Sequence, residues 1–128
     1  MAYTIMVVDD SETIRSVLER TIKMTKLPVD RILEAPNGKE ALVKLADDWV
    51  DIIFTDLNMP EMSGSELVDA LNEDVELRDV PVVIVSTEGS QTRIEELRKK
   101  GIRGYLRKPF TPESIRDIII NTLGEWDG

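Results

Sequence analysis

The 128-residue sequence contains no cysteine and no histidine. The first absence excludes a disulfide framework, a thiol nucleophile and a thiolate metal site. The second removes the commonest general base, any histidine-ligated zinc and any histidine of this chain that could carry a phosphoryl group. Positive charge is in deficit: 16 Lys and Arg stand against 25 Asp and Glu, a formal charge of −9. Nucleic acid and anionic membrane surfaces both need clustered positive charge, so neither is expected as a partner. No run of eighteen apolar residues and no charged-then-apolar leader pattern occurs, and the expectation is a soluble, cytoplasmic protein with no membrane insertion. Internal repeats, low-complexity tracts and linker-like stretches are also missing. The whole length, 1–128, is therefore read as one domain, large enough to bury a core without staples.

What is present is alternation. Short apolar runs at 4–8, 31–35, 52–55, 82–85 and 104–106 are separated by segments with helical spacing. Ile14, Val17, Leu18 and Ile22 form the stripe of the first helix. A second helix is predicted from Lys39 to Asp48, with Leu42 and Leu45 inward and Trp49 packing at its end. The third opens on a capping box, Ser63 with Glu66, and buries Leu67 and Leu71. A fourth opens near Ser90, carries Ile94 and Leu97, and stops at Gly101. The fifth begins Thr111-Pro112-Glu113 and presents Ile115, Ile118, Ile119 and Leu123. Five such strand–helix units predict an α/β fold: a five-stranded parallel sheet with helices on both faces. The uniformly apolar runs at 52–55 and 82–85 belong in its middle. Arg31 and Glu34 in one run and the brevity of another place those two at the edges, which fits the strand order 2-1-3-4-5 of flavodoxin-like folds.

In such sheets ligands bind outside the carboxyl ends of the strands. Strand one ends in Asp9-Asp10, strand three in Asp56, strand four in Ser86-Thr87 and strand five in Arg107-Lys108-Pro109. Each alone is an ordinary strand end; together they bring carboxylates, hydroxyls and an ammonium to one edge. Two like charges about 4 Å apart cost about 4 kcal/mol at an effective dielectric near 20, and Lys108 supplies only one compensating charge. With oxygen ligands alone, the fitting cation is hard: Mg²⁺, with Mn²⁺ as the other candidate. Mg²⁺ shares phosphate oxygens with substrates, and a carboxylate can accept a phosphoryl group, so the set points to phosphoryl chemistry.

These residues fall in four motifs: VVDDS at 7–11, TDLNMPEMSG at 55–64, VPVVIVST at 80–87 and GYLRKPF at 104–110. Together they resemble the response-regulator receiver domains of two-component signalling, in particular the single-domain, chemotaxis-type regulators, from about Tyr3 to Leu123. The resemblance implies that Asp56 is the phosphorylation site, with Lys108 and Ser86 contacting the phosphoryl oxygens. It implies that Asp10 and Asp56 bind Mg²⁺ by side chain, Asp9 through water and Asn58 through its backbone carbonyl. Ser86 would be the switch hydroxyl, with one methyl fewer than the commoner threonine, and Tyr105 the aromatic that changes rotamer. A cis bond between Lys108 and Pro109 is implied as well. The partners implied are a sensor histidine kinase and a downstream protein reached through the face of the fourth helix, fifth strand and fifth helix, the chain itself being a monomer. Catalysis of its own Mg²⁺-dependent phosphorylation and dephosphorylation follows from the same likeness.

Three other readings stay open. The protein could be a phosphorelay intermediate that passes the group on to a histidine phosphotransfer protein, or a degenerate receiver acting only as an interaction module. An aspartate-nucleophile phosphatase is disfavoured, because the residue two after Asp56 is Asn58, which cannot serve as acid or base. The basic group Arg93, Arg98, Lys99, Lys100, Arg103 and Arg107 reads as a solvated helix face or as part of the output surface. Nothing follows Leu123 but Gly-Glu-Trp-Asp-Gly, so no output domain is expected, and Trp126 falls in that tail.

Overall fold

The computed structural model describes residues 2–87 and 89–124; Trp126 lies outside them. Strands β1 (Tyr3–Val8), β2 (Val29–Ala35), β3 (Ile52–Asp56), β4 (Val82–Ser86) and β5 (Gly104–Arg107) alternate with helices α1 (Glu12–Met24), α2 (Gly38–Asp47), α3 (Gly64–Glu73), α4 (Gln91–Lys99) and α5 (Pro112–Leu123). All strand pairs are parallel, in the order β2-β1-β3-β4-β5. None of the helices is long and apolar enough to cross a membrane, among the described residues.

Successive side chains of a strand point to opposite faces, so one sheet supports two cores. Met6, Val8, Ile53 and Ile84 pack with Ala41 and Leu45 of α2, Leu67 and Leu71 of α3, and Leu97 of α4. Ile5, Val7, Phe54 and Val83 pack with Leu18 and Ile22 of α1 and with Ile115 and Ile119 of α5. The middle strands are covered on both faces, which is why 52–55 and 82–85 carry no polar face. Full burial of each such side chain contributes about 1.5–3 kcal/mol, and the strand ends inherit that rigidity.

Local signals set the helix boundaries. Ser63 Oγ accepts from the Glu66 N–H at 3.2 Å while Glu66 Oε1 accepts from the Ser63 N–H at 3.1 Å. Thr111 caps α5 ahead of Pro112, Asn37 caps α2, and Gly101 takes φ +103° just beyond α4. The second strand begins at Val29, earlier than its apolar run, because Val29 pairs with Tyr3.

Two expectations are corrected. Val17 is not part of the inward stripe: α1 meets the sheet through Leu18 and Ile22, with Thr21 between them, and Val17 lies on the flank, exposed. Trp49 does not pack at the end of α2 and is 65% exposed. Val50 and Leu45 occupy the buried space there, and the indole Nε1 donates to Asp51 Oδ1 at 3.3 Å.

The junction of β3 with α3 requires glycine at 64. Its N–H donates to the Leu57 carbonyl at 2.9 Å, and a Cβ there would lie 2.4 Å from the Asp56 carbonyl oxygen. Gly64→Ala must displace backbone at the end of β3 and is expected to destabilise the protein by about 1–3 kcal/mol. Urea unfolding checks this; an unchanged midpoint would mean that the 56–57 backbone yields freely.

Candidate functional site

The register of the sheet brings four strand ends level. Val8 pairs with Thr55, Asp56 with Val85, and Ser86 with Arg107. Asp9 and Asp10 follow β1 directly, Asp56 closes β3, Ser86 closes β4 and Lys108 follows β5. One carboxylate oxygen from each of Asp9, Asp10 and Asp56 lies within 4.8 Å of the others. Lys108 Nζ stands 3.6 Å from Asp9 Oδ2 and 3.7 Å from Asp56 Oδ1. Both separations exceed hydrogen-bonding distance, so the ammonium acts on the two carboxylates through charge.

The three acids differ in surroundings. Asp9 is 2% exposed, and its Oδ1 accepts from the Ser11 N–H at 2.9 Å. Burial pushes its carboxyl above the usual carboxylate range; the Asp56 and Asp10 charges push the same way, against the Ser11 hydrogen bond and Lys108. Asp10 is exposed. Asp56 is intermediate, and its Oδ1 accepts from the Leu57 N–H at 2.9 Å.

Ser86 is buried at the end of β4, and its carbonyl accepts from the Lys108 N–H at 3.0 Å. The Lys108–Pro109 bond is cis. Asn58 is exposed, two residues beyond Asp56. Tyr105, on β5, pairs with Ile84 of β4 and packs, half-buried, against the core that α2, α3 and α4 cover. The basic residues prove to have separate duties. Lys100 Nζ donates to Ser65 Oγ at 2.8 Å and Asp69 Oδ2 at 3.1 Å, tying the end of α4 to α3, and Arg93 lies 3.6 Å from Glu96.

Sequence reasoning missed Arg15. Its Nη1 donates to the Asp9 carbonyl at 2.7 Å and its Nε to Glu34 Oε1 at 2.9 Å, which fixes the turn carrying both N-terminal acids. Glu34 signals only a strand edge in the sequence, and nothing local in the chain connects it to Arg15 or to the site.

The residues fit a hard divalent cation. All three donors are carboxylates, and the single Lys108 charge leaves two negative charges uncompensated.

A family profile described as "Response regulator receiver domain" matches residues 5–120. The chain belongs to this family, whose members are the phosphorylation-switched modules of two-component signalling. It is similar to the "Chemotaxis protein CheY homolog" of Campylobacter jejuni, 39% identical over 125 residues, covering 97% of this chain and 95% of that one. It is also similar to "Chemotaxis protein CheY1" of Helicobacter pylori, 36% identical over 96% of this chain and 98% of the relative. Among solved structures, Vibrio cholerae chemotaxis protein CheY4 superposes with a TM-score of 0.85 at 30% identity, covering 95% of this chain and 99% of that one. The receiver domain of a sensor histidine kinase from Pseudomonas aeruginosa, solved with a magnesium ion in its active-site cleft, shares the fold (TM-score 0.84, 21% identity, 98% and 100% covered).

The raised Asp9 carboxyl has a consequence for stability. The folded state holds this proton more tightly than the unfolded chain, so its contribution is full below the unfolded carboxylate pKa and lost as pH rises through the folded one. With chelator present, Asp9→Asn should remove that loss and leave the variant more stable than the parent at neutral pH. Urea midpoints across a pH series test it; parallel declines in both proteins would assign the loss to other groups.

Proposed function

We propose that Asp56 accepts a phosphoryl group and that the resulting charge switches a protein-binding surface. The observation that carries this reading is the convergence of Asp9, Asp10, Asp56 and Lys108 at the level ends of three strands, with Ser86 closing the fourth. Asp9, Asp10 and Asp56 are the residues that would hold Mg²⁺, with the Asn58 carbonyl as a further ligand. When bound, the ion neutralises acidic charge and the charge on phosphoryl oxygens.

The chain's own groups do the rest. The Leu57 N–H and Lys108 both engage Asp56 Oδ1, which orients the carboxylate and offers Oδ2 to phosphorus. The Oδ2–P bond forms as the bond from phosphorus to the donor breaks, and the electron pair leaves with the donor's imidazole nitrogen or acyl oxygen. Lys108, only partly exposed, offsets charge on the transferring group. The Ser86 hydroxyl then donates to a phosphoryl oxygen, and Tyr105 turns inward into the space Ser86 leaves. The two conformations differ by a local electrostatic change, and the phosphoryl group shifts the population between them. The α4–β5–α5 face is the surface read by a protein target, and a sensor histidine kinase is the donor. The two relatives named as chemotaxis proteins, at 39% and 36% identity over nearly the whole chain, support chemotaxis as the setting.

Incubation with acetyl phosphate and Mg²⁺ should add one phosphoryl mass by intact mass spectrometry, and Asp56→Asn should abolish it. No added mass, or a mass that survives Asp56→Asn, overturns the assignment. Crowded carboxylates also predict that Mg²⁺ raises the melting temperature, and that Asp56→Asn stabilises the chelated protein. Differential scanning fluorimetry reads both; if neither shift occurs, the acids do not act as one charged cluster.

A further inference from the structure

The face between α2 and α3 takes no part in the chemistry above. Two depressions there, of about 210 and 370 Å³, share Leu45, Ala46, Glu76 and Leu77 and so form one continuous groove. Leu42, Leu45, Leu77 and Val80 give it an apolar floor. Trp49 stands at its lip, 65% exposed, and Val75, the neighbour of the lining residue Glu76, is 73% exposed. Scattered exposed apolar residues are ordinary; an indole beside an apolar groove is an anchor of the kind that dominates binding energy.

The groove is also strongly charged. Asp47, Asp48, Asp74 and Glu76 line it, and among the described residues no Lys or Arg does. Two cations near it are engaged elsewhere or with one acid alone. Arg31 pairs with Asp48 at 3.4 Å, leaving the other three acids, and Lys44 Nζ donates to the Glu34 carbonyl. The depression bounded by Met24 and Arg116 differs, since it mixes Lys26 and Arg116 with Glu113.

We propose that this groove docks a cationic amphipathic helix of a partner protein, its apolar side laid on Leu45, Leu77 and Trp49 and its Lys or Arg residues facing Asp47, Asp74 and Glu76. Apolar floor and acidic rim together match a helix-in-groove mode, in which the apolar face supplies affinity and the charges supply steering and register. A second copy of this acidic chain is a poor match for the rim. The lining residues come from α2, α3 and the segments that follow them, and none from α4, β5 or α5. Occupancy is therefore compatible with a partner on the phosphorylation-responsive face.

The test uses the full chain carrying Trp126→Phe, so that Trp49 is the only fluorophore of its kind. The probe is a synthetic amphipathic helical peptide of leucine and lysine, with a leucine–glutamate peptide of the same pattern as control. The lysine peptide should shift Trp49 emission to the blue and move backbone amide resonances at 45–49 and 74–80. Trp49→Ser, and separately Asp74→Lys with Glu76→Lys, should each weaken binding at least tenfold, while Asp56→Asn leaves it unchanged. That last variant separates this proposal from the phosphorylation reading. Equal binding of the glutamate peptide, resonance shifts centred on Asp9, Asp10 and Asp56 or on α4, or undiminished binding by Trp49→Ser overturns it. Sedimentation that finds Trp49 covered by self-association also overturns it, in favour of a second copy.

Discussion

Mutual repulsion among three carboxylates is the constraint around which this structure is organised. Asp9, Asp10 and Asp56 come within 4.8 Å of one another because the ends of two neighbouring strands, β1 and β3, put them there. Left to local preference, such a group would spread into solvent. Instead Asp9 is buried, the Ser11 and Leu57 N–H groups hold two of the acids, and Lys108 stands between Asp9 and Asp56. The imbalance that remains is a store of electrostatic energy, and it makes the site responsive to any change in local charge.

That store depends on the two-sided core. A sheet with one wet face could relax its strand ends toward water, whereas here β3 and β4 are covered on both sides. Arg15 extends the rigidity outward, since one guanidinium joins the Asp9 carbonyl to Glu34 on the edge strand β2. Gly64 does the same from the other side, letting α3 begin in contact with the Asp56 peptide. Arg15 holds the backbone that carries Asp9, and Gly64 lies against the backbone that carries Asp56, so both bear on how far the carboxylates can separate.

Much of this was legible in the chain. Strand-end carboxylates, the hydroxyl of Ser86 and the ammonium of Lys108 could be read because a parallel sheet turns position in sequence into position in space. The strand order followed from which of the five runs were uniformly apolar and which were polar or brief, with boundaries displaced by one or two residues where pairing, as at Val29, outran hydrophobicity. What escaped was long-range or rotational. Arg15 and Glu34 lie 19 residues apart and meet only through the packing of α1 beside β2. Val17 differs from Leu18 by a single helical step, enough to move it from core to flank. Trp49 follows a helix that its neighbour Val50 had already sealed, so its size predicted burial and its position denied it.

The acidic group and the β4–β5 edge of the sheet are joined through backbone. Ser86 closes β4 and Lys108 follows β5, and a backbone hydrogen bond joins them, so the backbone that carries the hydroxyl and the ammonium belongs to one β4–β5 pair. Tyr105 lies on that same edge strand, against the core beneath α3 and α4, while Arg107 brings its guanidinium to within 3.0 Å of where a Cβ at Gly89 would project. At the other end of α4, Lys100 anchors the helix to Ser65 and Asp69 of α3. A change of charge in the acidic group is therefore felt first at the β4–β5 pair, where Leu106 is buried, Tyr105 half-buried and Arg107 exposed.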